Sequence, residues 1–287
     1  MRFRRLGRTG LQVSEVGFGG APAGLRNYLG EWEPESDEAA AAIERTIHRA
    51  LDLGINYFDT APSYGQGRSE ELFGRGLRGR RDEAIVATKL QGHDADAVRR
   101  SAEQSLKRLG IDRIDVLQYH GSWYSAELVR DILRPGGVLA GMQALRDEGL
   151  VRFLGITSEG VNGPVSELVA TGEFDVLQIC YNLIFQHPYE PSRKAGLMYE
   201  AAAQEMGIVA MRPLTSGTFQ RWLGMVAAGV VSQVDWHRAL LAFVLSNPLL
   251  SVAIVGMRSP DEVAANVAVS DDLSLRIDLD ALHERYV

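Results

Sequence analysis

The chain has 287 residues, 46% of them hydrophobic and 23% charged, an ordinary globular composition long enough for one large domain or two small ones. A formal net charge of −7 argues against a general nucleic-acid or anionic-membrane binder, since neither partner is attracted to an acidic protein. The single cysteine, Cys180, cannot form an internal disulfide, and no run of about 18 apolar residues offers a membrane span.

The opening MRFRRLGRTG is basic but lacks the apolar stretch of a signal peptide, so a soluble cytoplasmic protein is expected. Its first two short runs, RFRRLG and LQVSEV, flank a glycine-containing turn and predict a hairpin. Eight apolar runs follow: VGFGG, INYFD, AIVATK, IDVLQYH, VRFLGIT, DVLQICY, GIVAMR and SVAIVG. Between them lie helical stretches. In the one from Asp37 to Gly54, Ala40, Ile43, Ile47, Ala50 and Leu51 share a face, and Gly54 stands at the C-terminal cap. The runs are apolar almost throughout, as in a parallel sheet covered on both sides. Eight strand–helix units in one unbroken series predict a single domain over 1–287, a (β/α)8 barrel with the hairpin at its N-terminal end. An open doubly wound sheet is the alternative, but GFGGAPAG does not supply the glycine fingerprint expected after its first strand.

A G-x-G-x-x-G does occur, at Gly74, Gly76 and Gly79. A phosphate loop needs strand, then glycines, then helix; here the glycines end a helix and a strand follows, so helix termination is the expected role. The strand ends carry more. Three consecutive predicted strands close on Asp59, Lys89 and His120, and Tyr64 lies in the loop after Asp59. Reactive groups of a barrel sit at the carboxyl ends of its strands. A phenol has a pKa of about 10, a nearby ammonium lowers it, and a carboxylate keeps that ammonium charged. With an imidazole at the same oxygen, the set forms a general acid beside a carbonyl. No G-x-S-x-G elbow occurs, so a carried hydride is the natural attacking group.

RRLGRTGLQVSEVGFGG, GINYFDTAPSYG, ATK, LQYH, LGIT, QICYN, RPLTSG and IVGMRSPDEVAAN, in that order, resemble the aldo-keto reductase superfamily over nearly the whole chain. The resemblance implies a catalytic tetrad of Asp59, Tyr64, Lys89 and His120, with Tyr64 as proton donor. It implies coenzyme contacts at Gly20 and Asp59, and Thr157, Ser158 and Gln178 at the nicotinamide carboxamide. Met211 stands where many members place an aromatic ring, Leu214, Ser216 and Gly217 match the loop crossing the pyrophosphate, and Asn266 matches the adenine contact. Ser259 and Pro260 read as a helix cap and first helical residue. Arg258 is the natural partner of a 2′-phosphate, whereas Glu262 stands where NADP-selective members carry arginine, and Asp261 adds a second negative charge. NADP(H) is favoured, with NAD(H) as the alternative.

Tyr28, Trp32, Trp123 and Tyr124 are candidate substrate walls, suiting an apolar or ring-shaped small-molecule carbonyl. No metal is expected, and a monomer or a homo-oligomer is compatible with the sequence. The implied activity is reversible hydride transfer between a nicotinamide and an aldehyde, ketone or sugar. Two alternatives are an aldose dehydrogenase acting mainly in the oxidising direction with NAD and a non-catalytic NADPH-binding regulatory subunit. A glycosidase would need paired strand-end carboxylates, which His120 and Met211–Arg212 do not provide.

Overall fold

A computed structural model describes residues 1–284. The hairpin strands β1 (Phe3–Arg5) and β2 (Gln12–Ser14) pair antiparallel. Eight parallel strands follow: β3 (Val16–Gly19), β4 (Tyr57–Asp59), β5 (Ile85–Leu90), β6 (Ile114–Tyr119), β7 (Val151–Ser158), β8 (Val176–Cys180), β9 (Gly207–Met211) and β10 (Val252–Gly256). They pair in chain order and close through β10 against β3, giving a (β/α)8 barrel. Each of the eight apolar runs in the sequence became one of these strands, because a strand covered on both faces has no need of polar alternation.

The barrel holds two apolar layers. Inside, Tyr57, Ala87, Val116, Val176, Val209 and Val252 form a cluster with Leu6 and Val13 of the hairpin, which thereby plugs the N-terminal end. The fit there is close: Gly7 lies in the left-handed region at φ +49°, and a Cβ on it would fall 2.2 Å from the Gly207 nitrogen. Outside, the larger core lies between strands and helices and includes the Ala40, Ile43, Ile47, Ala50 and Leu51 face of the helix Asp37–Asp52. That helix starts at Ser36, whose hydroxyl accepts from the Ala39 amide, and Gly54 at φ +86° turns the chain into β4.

The glycine triplet belongs to this outer layer. Gly74 and Gly76 sit in the helix Arg68–Gly76, where added Cβ atoms would meet the Leu109 carbonyl oxygen at 2.4 Å and Ile47 Cδ1 at 2.6 Å. They permit close helix–helix packing, and Gly79 follows in a left-handed turn at φ +79°. Among the described residues no helix is long and apolar enough to cross a membrane.

Candidate active site

Parallel strands put all eight carboxyl ends on one rim, and a cavity of about 300 Å³ opens there. Asp59 is the last residue of β4, Lys89 the last but one of β5, and His120 follows β6 directly. Tyr64 descends from the loop after β4, and all four side chains line the cavity. The sequence brought them together from three neighbouring strands, as the strand-end pattern implied.

At the centre, Lys89 Nζ lies 2.6 Å from Asp59 Oδ1, with the two side chains only 1% and 3% exposed. The ammonium also donates to the Thr60 carbonyl at 2.8 Å, and Gln118 Nε2 donates to Asp59 Oδ2 at 3.2 Å. Burial acts to lower the Lys89 pKa; the Asp59 carboxylate and the Tyr64 phenol reverse that and hold it above the ordinary lysine value. Such a pair is costly to desolvate and tolerable only when its remaining hydrogen-bonding positions are filled. Gln118 was not singled out from the sequence. The signal was present in the run IDVLQYH, where Gln118 stands two residues before His120, the spacing of side chains on one face of an extended chain.

Lys89 Nζ is 5.0 Å from the Tyr64 ring centroid. The sequence argument expected the ammonium to lower the phenol's pKa. Burial outweighs it: the Tyr64 pKa is raised overall, with Lys89 acting in the opposing direction. Tyr64 is therefore a protonated phenol at neutral pH, a stored acid whose conjugate base has a cation beside it. The His120 ring meets the Tyr64 ring edge-on at 6.0 Å, and its Nδ1 lies 3.3 Å from the Ser63 hydroxyl. Burial first, then the Lys89 charge, pushes the imidazole down to about 4, so it is neutral in the physiological range.

The same cavity collects most of the expected coenzyme contacts. Gly20, Thr157, Gln178, Met211, Leu214 and Ser216 line the cavity. Thr157 donates its hydroxyl proton to the Gly121 carbonyl at 2.7 Å. The Gln178 side chain hydrogen-bonds toward Asp59 and makes a long contact from Nε2 to Met211 Sδ at 3.9 Å, while its buried Oε1 has no hydrogen-bond partner among the described residues. Ser158 is buried and turned inward, donating to the Gly160 carbonyl at 2.7 Å, and is not part of the cavity wall. Gly217 flanks the loop at φ +71°.

Beyond the cavity, Arg258 Nε donates to the Pro22 carbonyl at 2.8 Å, Nη2 donates to the Tyr28 carbonyl, and the guanidinium lies 4.7 Å from the Trp32 ring. Glu262 closes a capping box: its carboxylate accepts from the Arg258 and Ser259 amides at 2.6 and 3.2 Å, while Ser259 Oγ accepts from the Glu262 amide. Asn266 is satisfied by His237 at 2.8 Å and by the Glu262 carbonyl at 2.8 Å.

Of the four aromatic residues expected as substrate walls, only Tyr28 faces the cavity. Trp32 donates its indole N–H to the Ala23 carbonyl at 2.8 Å and stacks under Arg258. Tyr124 is buried, with its hydroxyl donating to the Thr157 carbonyl at 2.8 Å. Trp123 is 67% exposed and lies against Gly160. Unforeseen at the wall are Leu25, Leu29, and the ion pair of Arg212 with Glu159, in which Arg212 Nη2 reaches Glu159 Oε1 at 2.7 Å.

A sequence model of the Aldo/keto reductase family matches residues 15–224. L-galactose dehydrogenase of Arabidopsis thaliana is 32% identical, over 99% of this chain and 93% of its own. D-threo-aldose 1-dehydrogenase of a Pseudomonas species is 27% identical, over 90% of this chain and 89% of its own. An aldo/keto reductase from Klebsiella pneumoniae, solved in complex with NADP and acetate, superposes with a TM-score of 0.74 at 21% identity, covering 98% of this chain and 95% of its own.

The sign of the His120 shift gives a direct test. An imidazole at its ordinary pKa would gain charge on acidification through about 6.5; one held at about 4 stays neutral until then. Imidazole NMR titration should therefore show His120 unchanged from pH 8 to pH 5. A midpoint near 6.5 would contradict the burial account.

Proposed function

The chain belongs to the aldo/keto reductase family of oxidoreductases, and from that membership we propose that it interconverts a carbonyl and an alcohol by reversible hydride transfer, with Tyr64 as general acid. The observation that carries this reading is the buried Lys89–Asp59 pair with the Tyr64 and His120 rings beside it on one cavity wall.

Gln178 supports a nicotinamide dinucleotide as the partner of this site. Its orphaned Oε1 is a buried acceptor of the kind that a carboxamide N–H satisfies, next to Met211 and Thr157 on the same wall. Gln178 and Thr157 would hold the carboxamide, Met211 would pack on the ring, and Leu214, Ser216 and Gly217 would cover the diphosphate. When bound, the nicotinamide supplies or accepts the hydride.

The chain's own groups manage the proton. Tyr64 hands its phenolic proton to the carbonyl oxygen, and in the oxidising direction the phenolate takes the hydroxyl proton back. Lys89, kept charged by Asp59, stabilises the phenolate formed on transfer. Neutral His120 would donate a hydrogen bond to the same oxygen from Nε2, the tautomer in which Nδ1 accepts from the Ser63 hydroxyl 3.3 Å away. The names of two relatives support a sugar as substrate, taken as an aldehyde for reduction or as a ring hydroxyl for oxidation to a lactone. A cytoplasmic setting belongs to the same reading.

For the adenosine end, NADP(H) stands first on Arg258. A second reading, NAD(H), has a specific observation in its favour. Arg258 is already engaged by two carbonyls and the Trp32 ring, and the helix N-terminus that a 2′-phosphate would seek is occupied by the Glu262 carboxylate.

Two outcomes follow. Tyr64→Phe should lower turnover of an active sugar or aldehyde by at least about a hundredfold, the usual scale of a positioned acid, while the affinity for NADPH and NADH stays near wild type. Near-normal turnover in that variant would remove Tyr64 from the proposal. Glu262→Gln preserves the capping box and deletes its charge, so fluorescence titration should show the NADPH-to-NADH affinity ratio rising about three- to tenfold, as expected for one nearby charge. An unmoved ratio would mean that Glu262 does not govern the choice.

A further inference from the structure

We propose that Arg212 is the cation that binds the diphosphate of the dinucleotide, and that Glu159 holds the guanidinium in place until the dinucleotide displaces it; this rests on the coenzyme reading above. Among the described residues lining the cavity, the cationic side chains are Lys89 and Arg212. Lys89 is 1% exposed and committed to Asp59 and the Thr60 carbonyl. A dianionic group entering the cavity therefore meets one accessible cation, Arg212, whose side chain is 45% exposed.

Position agrees with charge. In the closed strand order, β9 stands four strands from β5 in either direction, so Arg212, following β9, lies across the mouth from Lys89. The loops after the last two strands are where barrels of this architecture bind phosphate groups. Arg212 begins the first of those loops, immediately ahead of Leu214 and Ser216 on the cavity wall.

The backbone is built to hold it there. Arg212 has φ +58°, a left-handed conformation that a long side chain adopts at a cost. Its carbonyl accepts from Asn182 Nδ2 at 3.0 Å and from the Thr215 amide at 2.9 Å. Asn182 is itself 1% exposed, and its Oδ1 accepts from the Ile184 and Phe185 amides at 2.9 and 3.0 Å. Thr215, Ser216 and Gly217 are also left-handed, at φ +57°, +50° and +71°. Four positive-φ residues within six positions, fastened to a buried asparagine, mark a loop whose shape is imposed by its surroundings. Strain of that kind collects at ligand clamps.

The present partner of Arg212 is a weak holder. Glu159, the residue after β7, is 32% exposed, and one ion pair open to solvent resists displacement little. A diphosphate offers the planar guanidinium two parallel charge-assisted hydrogen bonds, which is the geometry arginine favours. Exchange of one carboxylate for a dianion then moves the side chain without moving the backbone.

ADP-ribose, which carries the diphosphate without the nicotinamide, tests the assignment by intrinsic fluorescence titration, with thermal unfolding run on each variant. Arg212→Met should weaken ADP-ribose binding by about tenfold or more, the scale of a lost hydrogen bond to a charged group. Arg212→Lys should fall between that variant and wild type, and Glu159→Gln should tighten binding by removing the competitor. Unchanged ADP-ribose affinity in Arg212→Met, with wild type binding normally, overturns this assignment alone. Equal weakening by Arg212→Met and Glu159→Gln also overturns it, since the intact pair would then be what binding requires. Failure of wild type to bind NADPH or NADH overturns it together with the coenzyme reading.

Discussion

A charged pair 2.6 Å apart and almost wholly shielded from water, Lys89 with Asp59, is the constraint around which the rim is organised. Ions are buried at high cost, and hydrogen bonds offset it here: the Thr60 carbonyl takes a second ammonium proton, and Gln118 donates to the second carboxylate oxygen. These partners come from β6 and from the turn after β4, so the chemistry and the packing of three strands are one arrangement. The field of the pair reaches the two groups that touch substrate in the proposed reaction. Burial raises the Tyr64 pKa and the ammonium opposes the rise, while the same charge adds to burial in keeping His120 neutral.

The far half of the rim works differently. Where the Lys89–Asp59 pair is shielded and hydrogen-bonded, the wall across the cavity keeps an unpartnered amide oxygen on Gln178, an ion pair at Arg212 that is partly open to solvent, and a loop of left-handed residues. In the proposed reaction, a rigid acid on one side and exchangeable contacts on the other suit a dinucleotide that is bound and released on every turnover. Arg258 and Glu262 belong to the rigid kind: both are spent on internal hydrogen bonds, which is why the adenosine end gives the choice of dinucleotide two opposing arguments.

The barrel was legible because parallel strands buried on both faces write themselves as apolar runs, and all eight runs were in plain view from VGFGG to SVAIVG. The tetrad's convergence was legible because strand ends share one rim, so Asp59, Lys89 and His120 needed no further information to be placed together. The walls were not. Trp32, Trp123 and Tyr124 lie on loops, where no period ties residue position to direction, and each found a nearer partner: the Ala23 carbonyl, the bare face of Gly160 and the Thr157 carbonyl. The net direction of the Tyr64 shift was also beyond the sequence, which showed the neighbouring ammonium but not the depth of burial that outweighs it. Arg212 carries no signature in the sequence beyond its place after a strand; its position on the cavity wall, its ion pair with Glu159 and its left-handed backbone emerge only from the structure.

The most direct test of the account is a double-mutant cycle on the buried pair, with Asp59→Asn, Lys89→Met and the double variant compared by denaturant unfolding. If the two charges support each other, each single change strands a buried partner, and the double variant should be less destabilised than the sum of the singles by about 2 kcal/mol or more. Simple additivity of the two losses would contradict the account, because it would mean that neither charge depends on the other.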